Sequence, residues 1–516
     1  MNREGALRRL PEERFDVLVI GGGATGLGAA VDAASRGYAT ALIDAGDFAN
    51  ATSSRSTKLV HGGVRYLQQG DVGLVREALH ERAALRRNAP HLVDDLEFVV
   101  PAYRRIDVPY YGLGLAAYDL LAGRSDFGRS RIISSAGART RIPALRARGL
   151  RGGVSYHDGQ FDDARLAVAL ARTAVDGGAT VANYVRATSF VYDANRRVIG
   201  VRAVDGESGA ELTIRARVTI NATGIFVDEL RALDEPGAPR LLAHSRGSHV
   251  VVRAAALGPA HAALLVPKTS DGRVLFALPW HGHVLVGTTD VPVSAPESDP
   301  LPSEDEIAYI LTTVNGYLDA PLVRADVLAT FAGLRPLVNR RATSTAKLSR
   351  EHLVDVSASG IVTIAGGKWT TYRKMSQDAV DAAARAAELA PAPSRTATLR
   401  LHGWAGDVPG DDALRVYGSD AAAIEALVRE EPSLGERLHA DLPYTAAQVV
   451  YAARSEMART VEDVLARRTR ALFLDARAAH DCAPRAASLL ARELGRDAAW
   501  AAEASGTFAR RAAAAL

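Results

Sequence analysis

Two short apolar runs near the start of the chain flank a segment whose apolar residues recur at helical spacing. Phe15–Ile20 and Ala39–Ile43 are almost continuously apolar, which is typical of parallel strands buried on both faces. Ala24–Arg36 has the pattern of a helix, and Gly37 follows it as a stop signal. The pattern therefore predicts a complete strand–helix–strand unit.

The alternation of strand and helix patterns continues to about residue 390, with one stretch of strands alone. We expect helices at 72–88, at 163–176, from Ser303 with Glu306 in a capping box, and from about Thr370. We expect strands in a meander at 180–192, 197–205 and 211–220, antiparallel sheet within 247–290, and a further strand at 361–365. Residues 391–394 indicate a linker, and the Ala- and Arg-rich remainder has helical spacing.

Length and composition limit the class of protein. The chain has 516 residues, too many for one compact core, so two or three domains are expected. With 48% hydrophobic and 23% charged residues, it has the composition of a folded soluble protein. The net charge is only +3 and no basic stripe is present, which argues against nucleic acid as a partner. Mild basicity fits an anionic small substrate or an anionic lipid surface.

Cysteine content and hydropathy exclude further classes. Cys482 is the sole cysteine, so disulfides within the chain and cysteine metal clusters are excluded; we expect no metal site, and a packed, inert thiol. No secretory signal and no stretch of about 18 uncharged apolar residues is present, so we predict no membrane span. The expected location is the cytoplasm, with the inner face of the cell membrane as an alternative.

A glycine-rich turn lies between the first strand and the first helix. Gly21–Gly26 satisfies G-x-G-x-x-G, in which Gly21 permits the tight turn, Gly23 lets backbone amides approach a pyrophosphate, and Gly26 allows close helix–strand packing. Ala24 and Thr25 open the helix, whose positive dipole end then faces the phosphates. Asp44 lies 18 residues after Gly26 at the end of the second strand, where a carboxylate accepts ribose hydroxyls.

A polar block, residues 52–67, follows this unit and has little hydrophobic periodicity. It makes a poor core element and suits a loop laid along a phosphorylated cofactor, with Arg65 near an anionic group. We assign its hydroxyl half, Thr52 to Lys58, to the cofactor, and its Gly-Gly-Val-Arg-Tyr half to the reacting face of the cofactor and to the substrate. The cofactor residues predicted in this block are Thr52, Ser53, Ser54, Lys58, His61 and Gly62.

Two later turns favour FAD over NAD. Ala222, Thr223 and Gly224 form a small-residue turn after a strand, which can lie against a dinucleotide. Gly367 and Thr370 stand at a helix start, where backbone amides stabilise negative charge on a reduced flavin. Only one G-x-G-x-x-G is present, which argues for a dehydrogenase or oxidase that passes electrons from substrate to acceptor.

The expected fold class is mixed α/β and α+β. We predict a Rossmann-like FAD-binding domain interleaved with an antiparallel-sheet substrate domain, plus a C-terminal helical domain. The FAD-binding domain is assigned to residues 14–80, 150–240 and 331–388, the substrate domain to 81–149 and 241–330, and the helical domain to 396–516.

The motifs taken together resemble a known family, the FAD-dependent (aerobic, respiratory) glycerol-3-phosphate dehydrogenases. Single motifs are shared with amine and amino-acid oxidases, but the set is more specific and covers roughly residues 14–385. The segments that carry the resemblance are 21–26 with Asp44, 52–67, 162–165, 221–224, 247–249, 287–290, 333–336 and 366–373. Four residues depart from the family pattern: Asp44 where Glu is usual, Ile225 and Phe226 where a small residue or Pro and then Trp are usual, and Arg246 where Lys is frequent.

The resemblance implies a substrate and a set of site residues. The substrate is sn-glycerol 3-phosphate, oxidised to dihydroxyacetone phosphate by hydride transfer from C2 to FAD N5, with a quinone as acceptor. Arg65, Arg350 and Lys368 match positions that hold the phosphate, Tyr66 donates a hydroxyl, and Arg186 lies near the adenine. Several cations suit a phosphate dianion. His249 and Arg335 match positions at the carbinol; we assign the proton to His249 and polarisation to Arg335, although the sequence also permits the reverse.

Several alternatives stay open at this stage. In one alternative, oxygen replaces quinone as the acceptor and the chain is a glycerol-3-phosphate oxidase. In the others it is an amino-acid or amine oxidase, or a flavin-containing sensor without turnover. Five arginines between residues 454 and 470 lie along an expected amphipathic helix, which either binds anionic lipid or packs against a domain. We expect a homo-oligomer and a non-covalent flavin.

Overall fold

The computed structural model describes residues 1–63, 71–123, 127–267, 269, 272–339, 352–406 and 412–516. In chain order, the strands are β1 (Arg14–Ile20), β2 (Thr40–Ile43), β3 (Leu59–Val60), β4 (Val93–Ala102), β5 (Arg131–Ile133), β6 (Gly152–Phe161), β7 (Thr180–Ala182), β8 (Val185–Tyr192), β9 (Val198–Asp205), β10 (Glu211–Asn221), β11 (Leu242–Arg253), β12 (Ala263–Val266), β13 (Leu275–Trp280), β14 (His283–Gly287), β15 (Val291–Val293), β16 (Val327–Val338), β17 (His352–Val356) and β18 (Val362–Gly366).

The α-helices, in chain order, are α1 (Arg3–Glu12), α2 (Ala24–Ser35), α3 (Val72–Asn88), α4 (Asp107–Ala122), α5 (Ser135–Arg141), α6 (Asp163–Asp176), α7 (Val227–Asp234), α8 (Glu304–Asn315), α9 (Tyr372–Ala386), α10 (Asp412–Arg415), α11 (Ala421–Glu430), α12 (Ala446–Glu456), α13 (Ala471–Leu474), α14 (Ala476–Leu494) and α15 (Ala498–Ala513). The expected β1–α2–β2 unit, α3, α6 and the capping box of Ser303 and Glu306 before α8 are all confirmed.

The first sheet is parallel at its centre. Its order is β17–β18–β10–β1–β2–β7, and β18, β10, β1, β2 and β7 run parallel to one another. Strands β8 and β9 attach to β10 as an antiparallel meander. Helices α2, α6 and α9 share one apolar cluster with β1 and β18, which buries one face of the sheet. A parallel sheet with crossover helices packed on it is the arrangement expected of a Rossmann-like domain.

The second sheet has ten strands in the order β15–β11–β14–β13–β12–β4–β6–β3, with β16 paired to β11 and β5 to β6. Its pairs are antiparallel except for β12 with β4. Helix α8 packs its apolar side on this sheet. Strands β3, β6 and much of β16 belong to this second sheet, although the sequence analysis assigned their residues to the FAD-binding domain; the domain ranges stay a prediction.

One expected strand and one expected helix are wrong in detail. The strand predicted over 180–192 is two strands, because Tyr184 adopts φ 56° and the pieces on either side pair with different neighbours. The expected helix over residues 454–472 is interrupted by Met457 (φ 55°) and Arg470 (φ 70°). A left-handed residue gives no hydrophobic signal, so the periodicity could not locate these breaks.

The C-terminal part, from α10 onward, contains helices and no strand among its described residues. It packs on the second sheet through one apolar cluster that includes Phe473, Phe331 and Trp280. The arginines of residues 454–470 are ion-paired: Arg468 with Asp47, for example, is fully buried. The lipid-binding interpretation of this segment is therefore wrong, and the packing interpretation is confirmed.

Candidate functional site: a dinucleotide turn beside a histidine–arginine cavity

The glycine-rich turn leaves no room for side chains. A Cβ on Gly21, which has φ 115°, would lie 2.4 Å from the Ala222 carbonyl oxygen, and one on Gly26 would lie 1.8 Å from the Gly21 oxygen. Helix α2 begins at Ala24, and its N-cap residue Gly23 has no side chain to cap it. Its first backbone amides, including that of Thr25, therefore form the type of site that binds a phosphate.

Asp44 lies directly beside this turn. Its Oδ2 accepts a hydrogen bond from the Gly22 amide at 2.5 Å, and its Oδ1 accepts one from the Gly46 amide at 2.7 Å. Burial raises the pKa of Asp44 to about 6, and the two amides oppose that shift. Val185 donates its amide to the Asp44 carbonyl, which places β8 and the exposed Arg186 next to the carboxylate.

The turn after β10 closes the other side. Asn221 Oδ1 accepts a hydrogen bond from Thr223 Oγ1 at 2.7 Å, and Gly224 has φ 62°. Ala222 is pressed against the glycine-rich turn, as the close approach to Gly21 shows. Strand ends, glycine turn and acidic residue thus converge at the carboxyl edge of the parallel sheet, and they fit an adenine dinucleotide such as FAD.

The first half of the polar block contacts the dinucleotide turn at one end and Asp163 at the other. Ser53 Oγ accepts a hydrogen bond from the Ala24 amide at 3.0 Å, and Thr52 Oγ1 donates to the Leu334 carbonyl at 2.7 Å, so this end bridges the dinucleotide turn and β16. Ser54 is buried. The Lys58 ammonium is also buried; it donates to the Ser54 carbonyl at 2.8 Å and to Asp163 Oδ2 at 2.7 Å.

The block then runs toward the start of α9. His61 donates its amide to Thr370 Oγ1 at 3.1 Å, and Gly62 donates its amide to the Tyr118 hydroxyl at 2.8 Å. Gly367 has φ 81°, and Lys368 beside it is half-buried. Arg65, Tyr66 and Arg350, which the sequence analysis placed at the substrate phosphate, lie outside the described residues, so their roles stay predictions.

His249 lies on β11 between Gly287 of β14 and Phe331 of β16. Its ring stacks on Phe331 with centroids 4.8 Å apart, and its Nε2 is 3.0 Å from Thr57 Oγ1. Burial holds the pKa of His249 well below its ordinary value, and the charges of Lys58 and Arg335 lower it further. The imidazole is therefore neutral near pH 7 and can accept a proton.

Arg335 lies on β16 and is held by the loop after β14. It donates to Thr288 Oγ1 at 3.2 Å and to the Thr289 carbonyl at 3.1 Å, and it forms an ion pair with Asp290 at 3.4 Å. A Cβ on Gly247 would lie 2.4 Å from Arg335 Nη2, so the glycine makes room for the guanidinium.

A cavity of about 200 Å³ brings these groups together. Its lining includes residues predicted for the cofactor, the carbinol and the phosphate: Thr52, His61, His249, Arg335, Gly367, Lys368 and Thr370. The sequence analysis did not single out Thr57, Asp163 or Phe331 as site residues. Thr57 and Asp163 stand inside the motifs already recognised, whereas Phe331 gave no signal because an apolar residue in a strand looks like ordinary core.

A second, larger cavity of about 510 Å³ adjoins the first and shares Thr57, Leu59, His61 and Arg335 with it. Its remaining wall is mostly apolar and comes from β4, β6, β12, β13 and α4. Among its residues are Phe98, Val100, Tyr110, Leu113, Leu115 and Phe276. Leu113 is 78% exposed, so the wall of this cavity reaches the protein surface.

Known proteins place this arrangement in a family. The sequence model of the FAD dependent oxidoreductases matches residues 16–373, and that of the C-terminal domain of alpha-glycerophosphate oxidase matches residues 362–501. Mitochondrial glycerol-3-phosphate dehydrogenase of Homo sapiens is 41% identical over 96% of this chain and 73% of its own length. The mitochondrial enzyme of Arabidopsis thaliana is 41% identical over 93% of this chain and 83% of its own length.

A solved structure agrees with the sequence comparisons. The glycerol-3-phosphate dehydrogenase from Bacillus halodurans, complexed with FAD, superposes with a TM-score of 0.81 at 30% identity and covers 99% of this chain and 97% of its own. The fold and the cofactor class thus agree with the sequence comparisons. The chain belongs to the FAD dependent oxidoreductases, within the family of the mitochondrial glycerol-3-phosphate dehydrogenases.

Proposed function

We propose that this protein oxidises sn-glycerol 3-phosphate to dihydroxyacetone phosphate and passes the electrons to a quinone. The observation that carries the proposal is the cavity in which neutral His249, Arg335 and Lys368 meet beside the dinucleotide turn. The names of the relatives supply the substrate class. Lys368, with a charge suited to a phosphate dianion, fits that class better than an amino acid.

The chemistry assigns one task to each group. Oxidation breaks the C2–H bond, whose electron pair leaves as hydride, while the hydroxyl proton goes to His249 and the C2–O bond becomes a carbonyl. A bound FAD supplies the hydride acceptor. Arg335 orients and polarises the C2 oxygen, since a guanidinium does not deprotonate. Lys368 holds the phosphate, together with Arg65, Arg350 and Tyr66 as the sequence predicts.

The primary test is anaerobic addition of sn-glycerol 3-phosphate to the FAD-loaded protein. We expect loss of the oxidised-flavin absorbance, and an absence of bleaching would contradict the proposal. Arg335→Ala and Lys368→Ala should lower the rate or abolish it while FAD stays bound. Arg253→Ala, an exposed arginine at the end of β11, is the matched control and should bleach like the unmodified protein.

Quinone as acceptor is supported by the second cavity. At about 510 Å³ it has the size of small-molecule sites, and its apolar wall suits an aromatic ring better than a charged acceptor. Accepting two electrons and two protons turns a quinone into a quinol. Quinone reduction without peroxide supports this acceptor. Peroxide release with no quinone reduction would favour oxygen, the acceptor implied by the name of the C-terminal sequence model.

Helix α4 supports a membrane contact beside that cavity. Four large apolar residues on or next to it are exposed: Ile106 by 65%, Tyr110 by 60%, Leu113 by 78% and Leu120 by 82%. Arginines 104, 105, 129 and 131 around it are exposed as well, which suits an anionic surface. No described helix is long and apolar enough to span a bilayer.

The membrane contact is tested with vesicles that contain phosphatidylglycerol. Leu113→Asp should reduce co-sedimentation with them, because it puts a charge on the apolar face. Val323→Asp, at an exposed valine outside this helix, should not reduce it. Equal binding of both variants would contradict the contact. The expected homo-oligomer stays a prediction, which analytical ultracentrifugation would test.

A further inference from the structure

The His249 ring is fixed by one hydrogen bond and one stacked ring. Thr57 Oγ1 engages Nε2 at 3.0 Å, and Nδ1 is buried with no hydrogen-bond partner among the described residues. Phe331 covers one ring face at an interplanar angle of 17°. The orientation of the proton acceptor therefore depends on what holds Phe331 and Thr57, and both are supported by residues around 470 in the C-terminal part.

Phe473, on the short helix α13, supports Phe331. The two rings lie 4.8 Å apart, and Phe473 is fully buried. His249, Phe331 and Phe473 thus form a ring stack in which His249 lies flat on Phe331 and Phe473 contacts Phe331 at a tilt of 45°, and it leads from the cavity to the C-terminal part. Interiors are close-packed, so removing the last ring of such a stack loosens the others.

Arg470, just before α13, supports the segment that carries Thr57. It donates to the Ser54 carbonyl at 2.8 Å and to Asp163 Oδ1 at 3.0 Å, and Lys58 donates to the same carbonyl and to the other oxygen of the same carboxylate. Asp163 Oδ2 also accepts from the amide and the hydroxyl of Ser56. Two cations and one carboxylate thus hold the turn on both sides of Thr57.

We propose that the C-terminal domain positions the catalytic base. Phe473 acts through Phe331, and Arg470 acts through Asp163 and Lys58 on the segment that carries Thr57. The two routes together fix the orientation of His249. This inference rests on the proposed function for the identity of the base. It gives the C-terminal helices a role in the oxidation itself, although none of them contributes a described residue to the 200 Å³ cavity. Arg470 and Phe473 are positioning residues that act through other groups.

The first test compares two Phe→Leu variants in the same apolar cluster. Phe473→Leu should lower the saturating rate of anaerobic flavin bleaching by sn-glycerol 3-phosphate about tenfold, since small misplacements of a reacting group are costly. The half-saturating concentration should change less than about twofold, because the phosphate-binding cation lies elsewhere. Phe508→Leu, equally buried but outside the ring stack, should bleach at the unmodified rate. Equal losses in both variants would overturn the proposal.

A double-mutant cycle separates positioning from general loosening. If Phe473 acts through Phe331, Phe331→Leu together with Phe473→Leu should cost no more than about the larger single loss. If the two losses multiply, the ring stack is not the route.

For the second route, Arg470→Lys should slow bleaching, because an ammonium cannot span Ser54 and Asp163 as the guanidinium does. Arg165→Lys, at the buried Arg165–Glu456 pair, is the control and should not slow bleaching.

A measurement without substrate keeps the positioning proposal separate from the proposed function. The pKa of His249 can be followed by NMR of histidine-labelled protein, with Lys58 and Arg335 as the charges that act on the ring. Phe473→Leu should raise this pKa toward its ordinary value, because a loosened stack admits water, whereas Phe508→Leu should leave it unchanged. An unchanged pKa in Phe473→Leu overturns the positioning role. A failure of sn-glycerol 3-phosphate to bleach the unmodified protein overturns only the proposed function.

Discussion

Gly287 gives the most direct test of the cavity geometry, because it faces His249 across the β11–β14 pair. A Cβ at this position would lie 2.3 Å from His249 Cδ2. Carbon atoms in contact are about 3.5 Å apart, so Gly287→Ala requires a displacement of about 1.2 Å. The imidazole is enclosed by Phe331 on one face and by Thr57 at its Nε2, so it cannot move without losing one of these contacts.

A displacement of about 1 Å in a reacting group costs about 100-fold in rate, or about 2.7 kcal/mol of transition-state stabilisation. We therefore expect Gly287→Ala to bleach its flavin about 100-fold more slowly in anaerobic stopped-flow measurements, with normal FAD content. Gly73→Ala is the matched control, because a Cβ there meets nothing within 4 Å. A Gly287→Ala rate within about threefold of the unmodified protein would refute the assignment of His249 to the reacting centre.

Two further predictions concern stability. Glu306 accepts hydrogen bonds from Ser248 and Thr289 and pairs with Arg246. Glu306→Gln should therefore lower the free energy of unfolding by about 2–4 kcal/mol in urea titrations. An unchanged free energy of unfolding would show that this network is not stabilising. Since the folded pKa of His249 is lowered, the unfolded chain takes up a proton below about pH 6.5 that the folded chain does not. As the pH is lowered below 6.5, the free energy of unfolding should therefore decrease more steeply in the unmodified protein than in His249→Gln. The difference in slope should be at most about 1.4 kcal/mol per pH unit, and parallel pH curves would contradict this.

The local parts of the fold were predictable because their signals are local. The β1–α2–β2 unit follows from two apolar runs, a helical pattern and a glycine turn, and the α8 start follows from Ser303 with Glu306 three residues later. The glycine turn is visible in the sequence for the same reason, because closely spaced glycines mark a turn. The division of residues 180–192 was not predictable, since it depends on which neighbours the two halves meet.

The charged residues of the C-terminal part show what a single sequence cannot reveal. Arg468 looks like one member of a basic face, but its partner Asp47 lies 421 residues away. Lys58 resembles a cofactor-binding cation by position, yet its ammonium is paired with Asp163, 105 residues away. Whether a cation faces solvent, lipid, cofactor or a buried carboxylate is decided by the tertiary fold, so the sequence alone could not choose among these environments.

The two cavities differ in polarity, as do the proposed substrate and the proposed acceptor. The 200 Å³ cavity contains His249, Arg335 and Lys368, which suit a phosphorylated polyol, whereas the 510 Å³ cavity is mostly apolar and its wall reaches an exposed apolar helix. Both border the short segment from Thr57 to His61, which runs from the Asp163–Lys58 pair to Thr370. Under the proposed function, the polyol phosphate and the quinone would therefore reach this segment through different cavities that share one wall. The Arg470–Asp163–Lys58 contacts hold the start of the same segment, so the proposed positioning role of the C-terminal part would extend to the wall that the two cavities share.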